Sequence, residues 1–145
     1  KIHKYMNMKK ILFLYIIHLG FALQSIQIQA CCLEDNTKTI QFIKDFYANY
    51  VFGTKNYVPA VKKHCTAKLQ KQLKDKYEFD GEGYAIWNFR TDTLQDGPND
   101  ISKVTSVVAL GNGLYKVSFI DMGIKGNRTL KIIYVNGTLK FDAIK

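Results

Sequence analysis

The C-terminal part of this chain alternates apolar and polar residues with a period of two, and this pattern constrains the fold more than any other feature. Two glycine-containing turns interrupt it, "GNG" at 111–113 and Asn136-Gly137. An Asn-Gly pair is a strong β-hairpin signal, because both central residues of the tight turn need a positive φ. We therefore predict four consecutive antiparallel strands, which are Val104 to Leu110, Leu114 to Met122, Arg128 to Val135 and Thr138 to Ile144.

Ahead of these strands, apolar residues recur at spacings of three and four, which predicts helices. The first helix runs from Thr37 to Phe52, before Gly53, and the last from Thr66 to Tyr77. We predict a short helix between them, with Pro59 at its first position. Helices followed by a strand meander predict an α+β fold, with N-terminal helices packed on one face of an antiparallel sheet of four strands or slightly more.

The first thirty residues have the pattern of a secretion signal. Lys9 and Lys10 precede an apolar run from Ile11 to Leu23, and a polar stretch then ends at the small residue Ala30. The run is shorter than the roughly 20 apolar residues that span a bilayer. The alternatives are a short anchor or a buried helix. We expect residues 1–30 to be removed after export.

The stretch "IQAC", residues 28–31, resembles a bacterial lipobox, although Gln29 is not the usual small residue. The resemblance implies acylation at Cys31, and two acyl chains are enough for stable anchoring. Ordinary cleavage after Ala30 is the alternative. Residues 31–36 would then be a short tether and residues 37–145 a single domain. We expect an exported protein, periplasmic or anchored in the outer membrane of a Gram-negative bacterium.

Removal of the signal lowers the formal charge of the chain. The whole sequence carries +9, whereas the exported part keeps 17 of the 21 basic residues and all 12 acids, which gives +5. Six lysines lie between positions 62 and 76, in a segment that has no arginine and whose only aromatic residue is Tyr77 at its end. A groove for single-stranded nucleic acid needs stacking aromatics among its cations. We predict a solvated helix face there and no nucleic-acid partner.

Two strings in the helical half carry a family resemblance. "FIKDFYANY" (42–50) and "YVPAVKKHCTAKLQKQL" (57–73) are similar to the opening elements of the nuclear transport factor two-like, or cystatin-like, superfamily. Residues 37–145 more narrowly resemble a domain-of-unknown-function family of small exported bacterial lipoproteins. The resemblance implies a cone-shaped fold with a curved sheet, in which aliphatic and aromatic residues line a pocket. Such cones serve as enzymes, ligand binders and protein-binding modules.

The stretch "YAIWNFRTDTLQD", residues 84–96, joins the helices to the meander and passes the mouth of such a cone. If the cone encloses a pocket, we expect six side chains to contact a ligand there: Tyr47, Tyr50, Tyr84, Trp87, Asp96 and Tyr115. Asp92 could also line that cavity. In the alternative interpretation, Trp87 and Phe89 plug the open end of the cone and the acids face solvent.

Asp121 is the candidate catalytic residue. It shares one face of its strand with Tyr115, Val117 and Phe119, which is the face expected to meet the helices. An acid placed there would lose water, its pKa would rise, and it could act as a general base. An inward acid has this role in steroid-isomerising members of the superfamily. A solvent-exposed acid in the turn before Gly123 is the alternative.

The sequence predicts no metal site and no cofactor. His64 and Cys65 are adjacent, so on a helix they point in different directions, and the exported part has no second His. We predict a non-catalytic exported module that binds a small molecule or a secreted or envelope protein. The alternative is a small cofactor-free enzyme, of isomerase or hydrolase type, that uses an inward carboxylate. We expect membrane contact only through the N-terminal lipid, and a homodimer through the sheet face is possible.

Overall fold

The first helix, α1, covers residues 36–46 and continues as a wider π-helical turn at Tyr47–Val51. The computed structural model describes residues 36–78, 81–91 and 97–145. The residues that recur at spacings of three and four form one stripe, of which Ile43, Phe46, Tyr47 and Val51 are buried and Ile40 and Tyr50 are partly buried. The wider turn closes with a hydrogen bond of 2.9 Å from the Phe52 amide to the Tyr47 carbonyl.

Two shorter helices follow, and a polar side chain caps each of them. The second, α2, covers Tyr57–His64, and Asn56 accepts a hydrogen bond of 3.0 Å from the Val58 amide. The helix therefore begins two residues before Pro59, and the prediction that Pro59 holds its first position is wrong. Proline is tolerated there because amides of the first turn have no partner within the helix.

The third helix, α3, covers Ala67–Asp75. Thr66 is its cap and accepts a hydrogen bond of 3.3 Å from the Leu69 amide. The helix is thus shorter at both ends than the predicted span from Thr66 to Tyr77. Its two predicted apolar residues, Leu69 and Leu73, are buried.

Four antiparallel strands form one sheet in the order β1-β2-β3-β4. They are β1 (Lys103–Gly111), β2 (Leu114–Asp121), β3 (Ile124–Val135) and β4 (Thr138–Ile144). In the two predicted turns, Asn112 and Asn136 have φ of 51° and 50°, and the glycines that follow are also positive. These angles are the ones that tight hairpins require, so the predicted meander and the α+β class are confirmed.

β3 begins four residues earlier than predicted because Gly126 belongs to the ladder. Gly126 pairs with Phe119, and a Cβ atom at Gly126 would lie 2.6 Å from the Phe119 ring. The missing side chain therefore leaves room for that ring on the inner face of the sheet. A glycine within a strand often indicates such a close approach, but beside Gly123 it resembled part of a turn.

The helices pack on the inner face of the sheet around aromatic side chains. The Phe46 ring lies 4.6 Å from Phe141 and 5.1 Å from Phe89, and Tyr47 lies 5.9 Å from Phe119. Residues Lys38–Lys145 form one compact unit with this core. In the described ranges, no helix has the length and hydropathy that a membrane span requires.

Candidate functional site

The stretch between α3 and β1 is tied to both the helices and the core. The Ala85 amide donates to the Leu73 carbonyl at 2.9 Å, and a short 3-10 helix follows at Ile86–Phe89. Trp87 is partly exposed, and its ring lies 5.6 Å from that of Tyr77. Phe89 is fully buried. Of the two aromatic residues proposed as a plug, Phe89 therefore fills the core and Trp87 lies at the surface.

Three of the four tyrosines predicted to line a pocket are part of the packed interior. Tyr47 is fully buried, and its hydroxyl donates a hydrogen bond of 2.8 Å to the Phe89 carbonyl. Burial raises the pKa of Tyr47 well above its ordinary value. Tyr84 and Tyr115 are buried as well, while Tyr50 is partly exposed beside Phe46. None of these four tyrosines lines either cavity described below.

Asp121 is buried at the end of β2, on the predicted inner face, and forms an ion pair. The Arg90 guanidinium donates to both of its carboxylate oxygens, from Nε at 3.1 and 3.0 Å and from Nη2 at 2.5 Å. The Thr91 hydroxyl donates at 3.2 Å. Burial acts to raise the pKa of Asp121, but the hydrogen bonds and charge of Arg90, with Thr91, lower it below its ordinary value.

The expectation of a raised pKa for Asp121 is therefore wrong, because the chain supplies a bidentate partner three residues after Trp87. The alternative of a solvent-exposed turn acid is wrong too, since the side chain is only 5% exposed. Arg90 also lies over the Phe52 ring, 5.8 Å from its centroid. The ion pair thus joins the β2 end to the stretch before β1 and to the end of the π-helical turn.

A cleft opens between α3 and the inner side of β3 and β4, with a volume of ≈ 460 Å³. Its lining combines apolar, amide and charged side chains: Leu69, Gln72, Asp75, Lys76, Asn88, Arg128, Ile144 and Lys145. The three cations outnumber the single acid. That acid, Asp75, already accepts a hydrogen bond of 2.6 Å from Lys71. The cleft therefore has a net positive lining with an apolar part.

Arg128 is held in a defined orientation at this cleft. It pairs with Val117 in the sheet and so lies on the inner face. Its Nε donates to the Asn88 carbonyl at 2.9 Å, and its Nη1 to the Asn127 carbonyl at 3.3 Å. A planar guanidinium fixed in this way suits a carboxylate or phosphate group.

Sequence reasoning missed this cleft. The sequence did contain a signal for it, which is the alternation of side chains along β3. Arg128 lies on the same side of its strand as the buried Leu130 and Ile132. A cation at an inward position next to an apolar strand needs a specific partner or ligand. The cleft also depends on α3 and Asn88, which no local pattern places beside β3.

His64 and Cys65 do not converge on a common point. The His64 ring packs against Phe42 at 5.5 Å, and its Nδ1 is buried without a hydrogen-bond partner among the described residues. Cys65 lies at the β4 edge, where burial raises the pKa of its thiol to about 12. Within the described ranges, no cluster of three His, Cys, Asp or Glu side chains is arranged to hold a metal ion.

Three of the acids and thiols proposed from the sequence, Cys31, Asp92 and Asp96, lie outside the described residues. No protein-family model matches the chain, and comparisons with curated proteins and with solved structures find no match either. A function for this chain must therefore be inferred from its own geometry.

Proposed function

We propose that this chain is a non-catalytic binding module that takes a small anionic ligand in the cleft between α3 and the sheet. The observation that carries the proposal is the inward Arg128, oriented by two backbone carbonyls at the wall of a positively lined cleft. A carboxylate or phosphate would contact the guanidinium, and an attached aliphatic group would pack on Leu69 and Ile144.

Electrostatics favour this class of ligand. Lys76 and Lys145 add two flexible cations to the fixed one at Arg128. Asp75 is the one acid in the lining, and its charge is offset by Lys71. A ligand that replaces water in this cleft gains charge-assisted hydrogen bonds, which are stronger than those between neutral groups.

The alternative of an enzyme with an inward carboxylate has less support. A general base must be able to accept a proton near the working pH. The Asp121 carboxylate is engaged by Arg90 and Thr91, and its pKa is lowered. These contacts stabilise the charged form of Asp121 and make it a weak base, so we assign it a role in stability.

A titration followed by NMR tests the proposed cleft. Hexanoate serves as the probe, and hexanol serves as a neutral probe with a similar apolar part. We expect hexanoate to shift amide signals around Asn88, Arg128 and Lys145, and hexanol to shift them far less. Equal effects of both probes, or shifts confined to other surfaces, would contradict the proposal.

Substitutions give the same test a second readout. Arg128→Gln should weaken hexanoate binding by about 10- to 100-fold, since hydrogen bonds to charged groups contribute about 1.5–3 kcal/mol. Asp75→Asn should strengthen it slightly, because it removes the negative charge in the lining. Lys44→Gln, on the exposed side of α1, is the matched control and should leave affinity unchanged. Each variant should first be compared with the wild type by thermal melting.

From the sequence, we also propose a superfamily for this fold and a cellular location for the protein. The order of helices and strands supports membership of the nuclear transport factor two-like superfamily, with a cone-shaped sheet. The charged and apolar segments before Ala30, together with "IQAC", support export and acylation at Cys31. The module would then act in the periplasm or on the outer membrane of a Gram-negative bacterium.

A further inference from the structure

Acidic residues are almost missing from the part of the chain that forms the sheet. The four strands and their turns, residues 103–144, hold six Lys and Arg residues and two acids, Asp121 and Asp142. Asp121 is buried against Arg90, and Asp142 pairs with Lys68 and Thr66 on the helical side, so neither acid adds negative charge to the outer face. The outer face of the sheet, opposite the helices, therefore carries lysines whose charge no acid from the same stretch offsets.

The strand register places three of these lysines on two rows of the outer face, with one uncharged row between them. Ile120 pairs with Lys103 on one side and with Lys125 on the other. Two residues before Ile120 on β2, Ser118 pairs with Ser106 and Asn127. Two residues before Ser118, Lys116 pairs with Val108 and Thr129. A depression of ≈ 400 Å³ lies here, with Lys116, Ser118, Lys125 and Asn127 in its lining.

The β3–β4 hairpin extends beyond the rest of this face. The ladder between β2 and β3 ends at the pair Leu114 and Lys131, whereas β3 continues to Val135. Four further residues reach about 13 Å at the usual rise of a strand. Near the tip, Tyr134 and Val135 are 51% and 38% exposed, and Val135 is the one on the outer side of β3, because Tyr134 shares the side of Ile132. We call residues 132–140 the hairpin arm.

We propose that the outer face of the sheet and the hairpin arm bind the surface of a bilayer that contains anionic lipids. Lysines are compact charges on flexible stems, and they suit a diffuse layer of phosphate head groups. A short aliphatic side chain such as that of Val135 can enter the acyl boundary beside these charges.

The same features oppose the other occupants of this face. A second copy of the chain would bring Lys103, Lys116 and Lys125 against an equally basic surface. Single-stranded nucleic acid is bound through stacked aromatic side chains, and the side chains that line the depression on this face are polar or aliphatic apart from Phe119. Membrane contact here would be additional to the anion cleft, which lies on the inner side of the sheet.

Sedimentation with lipid vesicles tests the proposal. The protein is residues 36–145, which contain the compact unit, so the apolar segment at 11–23 does not contribute. We expect co-sedimentation with vesicles of phosphatidylcholine that contain one third phosphatidylglycerol, and little with phosphatidylcholine alone. Binding should fall as salt is raised, because screening weakens contacts between exposed charges.

Two sets of substitutions give the expected magnitudes. Replacing Lys103, Lys116 and Lys125 together by Gln should weaken binding about 100-fold, since each lysine near an anionic surface contributes about 1 kcal/mol, or about a factor of five. Replacing Val135 by Ser should weaken it about threefold.

A matched triple replacement of lysines from the helical side, at Lys44, Lys55 and Lys74, is the control and should change binding by less than about twofold. Equal binding to neutral vesicles, or an equal loss in the control, would overturn the proposal. Failure of the wild-type chain to bind anionic vesicles would also overturn the proposal. So would a wild-type dimer that becomes monomeric when Lys103, Lys116 and Lys125 are replaced.

Discussion

Replacement of Arg90 by Met tests the ion pair that joins β2 to the stretch before β1. Methionine keeps an apolar chain over the Phe52 ring but removes the charge and all hydrogen bonds of Arg90, so that the Thr91 donor remains at the Asp121 carboxylate. That carboxylate is 5% exposed, so water reaches it poorly after the change. Loss of one partner of a buried ion pair typically costs about 3–5 kcal/mol. We expect the free energy of unfolding to fall by an amount in the lower part of that range, because Arg90 itself is 31% exposed.

The companion variants separate charge from packing. Asp121→Asn should cost less, about 1–3 kcal/mol, because the partly exposed Arg90 can turn to water. The double variant combines Arg90→Met with Asp121→Asn and leaves no unpaired charge. Its loss of unfolding free energy should therefore be smaller than the sum of the losses of the two single variants. Urea denaturation of the four proteins gives these values.

The pH dependence of the wild type supplies an independent check. The folded pKa of Asp121 lies below its ordinary value of 3.8. The stabilisation is therefore fully present above the unfolded pKa and is lost as the pH falls through the folded one. Acid should reduce the stability of the wild type below about pH 4, and Asp121→Asn should lose that part of the slope. A cost below about 1 kcal/mol for Arg90→Met, or equal acid slopes, would refute the reasoning.

Four further changes test other parts of the structure. Phe46→Ala should lower the free energy of unfolding by about 3–5 kcal/mol, because the ring lies in the aromatic core; a loss below about 1 kcal/mol in a denaturant melt would contradict this. Gly126→Ala should cost about 1–3 kcal/mol through contact with the neighbouring ring, which thermal melting would detect. Burial, followed by nearby Lys charges, lowers the pKa of His64 below 6.5, so stability should fall as the pH drops below about 6.5, and His64→Phe should flatten that slope. Cys31→Ser should abolish incorporation of a labelled fatty acid in a bacterial host, and equal labelling of both proteins would exclude acylation at this residue.

The candidate site shows where local patterns lose their predictive power. Alternation along β2 was enough to place Asp121 on the inner face, next to Phe119. Its pKa depends on Arg90, which is thirty-one positions away along the chain. The predicted pocket residues Tyr47, Tyr84 and Tyr115 were apolar enough to be placed inside, and there they complete the core. A sequence pattern states that a residue is buried, but it does not state whether the space beside it is empty.

Periodicity and turn chemistry were sufficient for the class of fold, for the order of its elements and for most core positions. The reason is local: a strand alternates with a period of two, a helix with a period near 3.6, and an Asn-Gly turn accepts the positive φ that a hairpin needs. The cleft at Arg128, the pairing of Asp121 and the lysine rows of the outer face required the folded chain. Each arises from residues on different elements whose distances are determined by packing, and packing satisfies all of the contacts at once.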